Sequence, residues 1–194
     1  MNLFGWLKRS KMKREIIINV EKLETRVAVV ENGRLEEYMV EHPEEERLVA
    51  IFSESPTLIA LHCEDQSVIA ANTAKYKAET NSDDPDVTYH PLVRSEEACY
   101  RSTAKAVELA QRTGARIHVM HISTARELEL LTAGDISHKQ ITAEVCLPHL
   151  YYTDADYATL GTRIKCNPAV KTVTDRDALR QALRSGIIDV VGTD

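Results

Sequence analysis

The apolar positions of the chain fall into two regimes that meet near residues 48–53. The first holds short β-branched runs, Ile16-Ile17-Ile18-Asn19-Val20 and Arg26-Val27-Ala28-Val29-Val30, followed by Leu35 to Val40. Glu31-Asn32-Gly33 separates the last two. Asn-Gly between such runs predicts a β-hairpin, because both residues tolerate positive φ. An acidic, proline-containing stretch, Glu41 to Glu46, closes this segment. From Thr57 onward short apolar strands alternate with helical stretches, the pattern of a parallel α/β sheet or barrel.

Strands are expected at Thr57 to Leu61, Arg116 to Met120, Gln140 to Leu147 and Ile187 to Gly192. A helix from Ser95 to Thr113 is marked by Glu96 and Glu97 in its first turn. It carries Cys99, Ala106, Val107 and Ala110 on one face and stops at Gly114. Thr124 with Glu127 forms a capping box that opens a helix through Leu128 and Leu131 to Gly134. Thr174 with Asp177 is the matching cap for a helix ending at Gly186. The acidic stretch Asn81 to Asp86 lacks the glycine and terminal glutamate of an EF-hand and is taken as a solvated linker.

The chain has 194 residues, fewer than the roughly 250 of a complete (β/α)8 barrel, so a barrel reading is a reading of part of one. With 43% hydrophobic and 28% charged residues and a net charge of −6, the composition is that of a globular protein and does not suggest nucleic acid as a partner. The one basic cluster, Lys8, Arg9, Lys11, Lys13 and Arg14, follows the short apolar stretch Leu3 to Leu7. That order is wrong for an export signal, and residues 1–13 are expected to be a solvated basic tail. No stretch is long enough to span a bilayer. Cys63, Cys99, Cys146 and Cys166 form no CxxC pair, which points to a reduced, cytoplasmic protein.

Three of the four later strands end in a residue able to bind a metal: His62, His121 and Asp194. In a parallel barrel all strand C-termini open on one face, so these groups would converge. Imidazole and carboxylate are ligands zinc accepts, and a zinc-bound water acidified toward about pH 7 is a hydrolytic nucleophile. The other histidines are weaker candidates. His118, upstream of His121 on the same strand, is expected to share its face as a supporting or packing residue. His90, beside Pro91, and His138 are expected to be solvated, and His149 is left out of the site.

Leu61-His62-Cys63-Glu64-Asp65, Val119-Met120-His121-Ile122-Ser123-Thr124-Ala125, Lys165-Cys166-Asn167-Pro168 and Val191-Gly192-Thr193-Asp194 resemble, in order, the later motifs of bacterial dihydroorotases in the amidohydrolase superfamily. The resemblance covers about residues 51–194. It implies an α/β fold, the C-terminal half of an amidohydrolase-type (β/α)8 TIM barrel, here preceded by a short β-hairpin segment. It implies that His62 and His121 hold the more buried of two zinc ions, that Asp194 binds the other and shuttles a proton, and that Asn167 contacts the substrate ring. The implied reaction is reversible hydrolysis of dihydroorotate to carbamoyl aspartate, a step of pyrimidine synthesis, on a small-molecule substrate.

Allantoinase and dihydropyrimidinase are close relatives of that family, and Lys165-Cys166-Asn167-Pro168 favours dihydroorotase among them. The family's site begins with a His-x-His pair and includes a bridging residue, and His149 stands where paired histidines are common. None of these is present here, so the chain is expected not to catalyse the reaction by itself. Residues 14–48, with Glu24-Thr25-Arg26-Val27-Ala28 and the Asn32-Gly33 turn, resemble the opening of the ribonuclease E/G family. That resemblance makes an RNA-processing protein the alternative function. The open edges of a half barrel would be covered by pairing, which makes a homo-oligomer one expectation.

Overall fold

The computed structural model describes the backbone of residues 14–20, 25–31, 34–41 and 45–193, with side chains from Leu48 onward. Seven strands form one sheet in the order β3-β2-β1-β4-β5-β6-β7. β1 (Arg14–Val20), β2 (Thr25–Glu31) and β3 (Arg34–Glu41) are a three-stranded antiparallel meander. β4 (Ile59–His62), β5 (Ile117–Val119), β6 (Ile141–Cys146) and β7 (Val190–Gly192) are parallel to one another. β1 joins the two halves by pairing parallel with β4, Asn19 standing in register with His62. The expected hairpin is therefore a meander, and it shares its sheet with the α/β part.

The helices are α1 (Glu45–Glu54), α2 (Gln66–Thr80), α3 (His90–Val93), α4 (Glu96–Thr113), α5 (Leu147–Tyr151), α6 (Tyr157–Leu160) and α7 (Val173–Ser185). Successive side chains of a strand point to opposite faces. One parity, Ile59 and Leu61, Ile117 and Val119, Ala143 and Val145, is fully apolar and buried. It packs with Leu48 and Phe52 of α1, Leu109 and Ala110 of α4, and Leu179 and Ala182 of α7. The other parity carries His62, His118, Thr142 and Glu144, and there His118 Nδ1 lies 2.8 Å from Thr142 Oγ1.

α4 begins and ends where the sequence places it. Ser95 caps Ala98 N, and Gly114 stops the helix at φ +77, a conformation glycine adopts without a Cβ clash. Three expectations need correction. The cap of α7 is Thr172 with Asp175, one pair upstream of Thr174 and Asp177, and both halves of the capping box form there. The segment after Thr124 is one short 3-10 turn, Arg126–Leu130, and not a helix reaching Gly134. Thr124 and Glu127 still bond reciprocally, but a buried Glu127 ties the segment into the core before another turn can form.

α2 carries no apolar stripe for periodicity to detect, since only Ile69 of its fifteen residues is buried. It is fixed instead at its ends, by Asp65 accepting from Ser67 N and Val68 N and by left-handed Asn81. Asn81 therefore belongs to a helix terminus, and the rest of the 81–86 stretch is mostly exposed as expected. Among the described residues no helix is long and apolar enough to cross a membrane.

At the end of the sheet away from the histidines, Lys139 Nζ donates to both carboxylate oxygens of Asp189 at 2.8 and 2.9 Å and to Ile187 O at 3.0 Å. Asp189 Oδ2 also accepts from Ala143 N at 2.8 Å, which locks the entry of β7 to β6. Both side chains are buried, 7% and 2% exposed. Removing one member of a buried pair leaves the other charge uncompensated, so Lys139→Ala is expected to cost about 3–5 kcal/mol in urea unfolding. Gly192 faces Glu144, and a Cβ built there would stand 2.8 Å from the Glu144 carboxylate. Gly192→Ala is expected to push that carboxylate off His118 and cost about 1 kcal/mol, with most of the cost gone in a Glu144→Ala background, as a double-mutant cycle would read.

Candidate active site

β4 ends in His62 and β5 leads directly to His121 on the neighbouring parallel strand. His62 Nδ1 and His121 Nε2 face each other at 2.5 Å, with ring centroids 4.6 Å apart. Strand alternation alone would not achieve this. His121 lies three residues after His118, so an extended chain would put the two on opposite faces, contrary to the sequence expectation. His121 instead adopts φ +38, a left-handed conformation uncommon for a residue with a Cβ, and its ring turns back toward His62.

His121 is 3% exposed. Burial, followed by its neighbours His62 and His149, pushes its pKa down to about 3, so the ring is neutral at neutral pH. Its Nδ1 is buried without a hydrogen-bond partner. Imidazole nitrogens are donors of the kind zinc accepts. His62 and His121 would supply two donors. Among the described residues no group of three His, Cys, Asp or Glu stands close enough to hold a metal ion. Asp194 lies outside the described residues; β7 brings the chain to Gly192, in register with Cys146.

Asn167 is exposed, followed by a cis bond to Pro168. The backbone around it is held from both sides: His90 Nε2 donates to Cys166 O at 2.8 Å and His149 Nε2 to Pro168 O at 2.8 Å. His90 is thus half-buried against Tyr157 and not solvated, and burial lowers its pKa. His149, set aside in the sequence, is 3% exposed and supports the Asn167 turn. His138 is exposed, as expected.

Sequence reasoning missed a set of buried charges behind the histidines. Glu64, two residues after His62, pairs with Arg94 and is nonetheless pushed up in pKa by its burial. Lys171, 6% exposed, donates to Ala169 O at 3.0 Å and Ser123 Oγ at 3.1 Å. Glu127, 2% exposed, is likewise raised by burial despite hydrogen bonds from Thr103 and Thr124. Burial of such residues has no local sequence signal, because each reaches the interior only through the tertiary fold.

No family model matches the chain. A dihydroorotase of Carboxydothermus hydrogenoformans is 40% identical over 88 residues, 45% of this chain and 20% of that protein. A dihydroorotase of Bacillus licheniformis is 34% identical over 140 residues, 70% of this chain and 30% of the relative. An allantoinase of Bacillus velezensis is 29% identical over 137 residues, 71% of this chain and 30% of the relative. The chain thus spans less than a third of the length of these relatives.

Among solved structures, a D-hydantoinase (dihydropyrimidinase) from Thermus sp. superimposes with a TM-score of 0.69 at 22% identity, over 80% of this chain and 34% of its own. L-hydantoinase from Arthrobacter aurescens does so with a TM-score of 0.70 at 23% identity, over 79% of this chain and 34% of its own. At that identity the likeness is one of fold, a partial amidohydrolase-type TIM barrel. By sequence and fold together, the chain is dihydroorotase-like, similar to part of an amidohydrolase.

Proposed function

We propose that residues 51–194 carry part of a zinc-dependent cyclic amidohydrolase site whose substrate is dihydroorotate, opened reversibly to N-carbamoyl-L-aspartate. The observation that carries this reading is the meeting of His62 Nδ1 and His121 Nε2 at the rim of two parallel strands. Two imidazoles brought nitrogen to nitrogen at a strand rim, one of them buried, are well suited to share a cation. The relatives named dihydroorotase support the choice of ring, and the allantoinase supports the wider class.

In this reading His62 and His121 hold a zinc ion, and Asp194, two residues past the end of β7 in sequence, adds a third donor. A bound zinc would supply polarisation of the ring carbonyl and a water acidified toward about pH 7. The Asp194 carboxylate takes the proton of the attacking water and returns it to the departing ring nitrogen. Asn167, exposed on its supported turn, orients the ring by hydrogen bonding. The sequence contains no His-x-His pair, so these residues supply at most three donors, and the 194-residue chain by itself turns over little substrate.

Zinc titration of the purified chain, alongside His62→Ala and His121→Ala, tests the assignment. The wild-type chain is expected to bind zinc, and each variant to bind at least about ten-fold more weakly, since each lacks a donor. Unchanged affinity in both variants would remove the site. Turnover of dihydroorotate by the chain alone at the rate of a full-length dihydroorotase would overturn the three-donor reading.

A further inference from the structure

His121 reaches His62 only because its backbone turns left-handed, and a residue with a Cβ holds that conformation only where its surroundings impose it. The four residues after it show what imposes it. Ile122 N donates to Glu144 O at 2.8 Å and Ala125 N to Asp175 Oδ1 at 2.8 Å. The two amides between them, Ser123 N and Thr124 N, converge on one atom, Glu127 Oε2, at 3.2 and 3.1 Å. Thr124 Oγ1 donates to the same oxygen at 2.9 Å, and Thr103 Oγ1 of α4 holds the other oxygen at 2.8 Å.

Glu127 is 2% exposed, so no water competes for these bonds. An oxygen that gathers three donors suits a carboxylate, which accepts at both oxygens and donates at neither.

We propose that Glu127 is the positioning residue for His121: its carboxylate fixes the 122–125 turn and thereby the separation of the two opposed imidazole nitrogens. Glu127 touches neither ring and acts only through the backbone of Ser123 and Thr124. The inference rests on the zinc reading above for its consequence in metal affinity, but not for its geometric content. Glu127→Gln keeps the side-chain size while leaving a neutral, weaker acceptor for three donors. Thr103→Val removes one bond to the same carboxylate from the α4 side and leaves the 122–125 turn untouched. A merely structural Glu127 would make the two variants alike, each lowering the melting temperature with the histidine pair unchanged.

The test uses the full chain and two readouts. In metal-free protein, NMR cross-relaxation between the ring protons of His62 and His121 reports their contact; in a zinc titration, the dissociation constant reports their joint use. Glu127→Gln is expected to weaken the cross-relaxation and to weaken zinc binding about ten-fold or more. Thr103→Val is expected to lower the melting temperature with both readouts at wild-type values. Wild-type ring contact in Glu127→Gln, or equal loss of contact in both variants, overturns the proposal. His121→Ala separates the two readings: unchanged zinc affinity there sinks the metal assignment, while the cross-relaxation measurement still decides the role of Glu127.

Discussion

In-register parallel pairing of β4, β5 and β6 is the constraint on which the remaining features depend. It aligns Ile59 with Ile117 and Ile141, so one parity of each strand becomes a continuous apolar surface under the helices. It also brings the strand C-termini to one rim, where polar residues distant in sequence are gathered without further design. The helix-facing parity contributes most of the burial. Polar side chains such as Glu144 and Thr142 therefore occupy the other face at little cost, because both can bond to His118.

The histidine pair adds a second requirement that the sheet does not meet by itself. A strand leaving the sheet in extended conformation would carry His121 to the apolar side. The left-handed residue and the buried carboxylate beneath it redirect the chain, and the strain of the one is offset by the hydrogen bonds of the other. Lys171 extends the same arrangement through Ser123 toward the segment that carries Asn167. Charged groups placed in this way rigidify a site that two imidazoles alone would leave loose.

Much of this was legible in the sequence wherever a local rule carries the information. The parallel strands follow from short apolar runs, α4 from its cap, face and terminal glycine, and His62 with His121 from their positions at strand ends. α2 was silent because its stability lies in its two caps and not in an apolar stripe. The α7 cap was displaced because two threonine-and-aspartate pairs, Thr172 with Asp175 and Thr174 with Asp177, compete within a few residues. Only packing chooses between them: Asp175 is buried and bonds Ala125 N as well. The roles of His90 and His149 were hidden because both bond to the backbone of a loop well over a dozen residues away in sequence.

The meander at the start of the chain bears on how the sheet assembles. β1 and β2 meet within a few residues of each other, Val20 with Thr25, whereas the histidines at the ends of β4 and β5 are separated by 59 residues of sequence. Closing a short loop sacrifices less chain entropy than closing a long one, and nearby contacts form faster. β1 to β3 can therefore be in place early, presenting the free edge of β1 as a template onto which β4, and then the remaining parallel strands, add in turn.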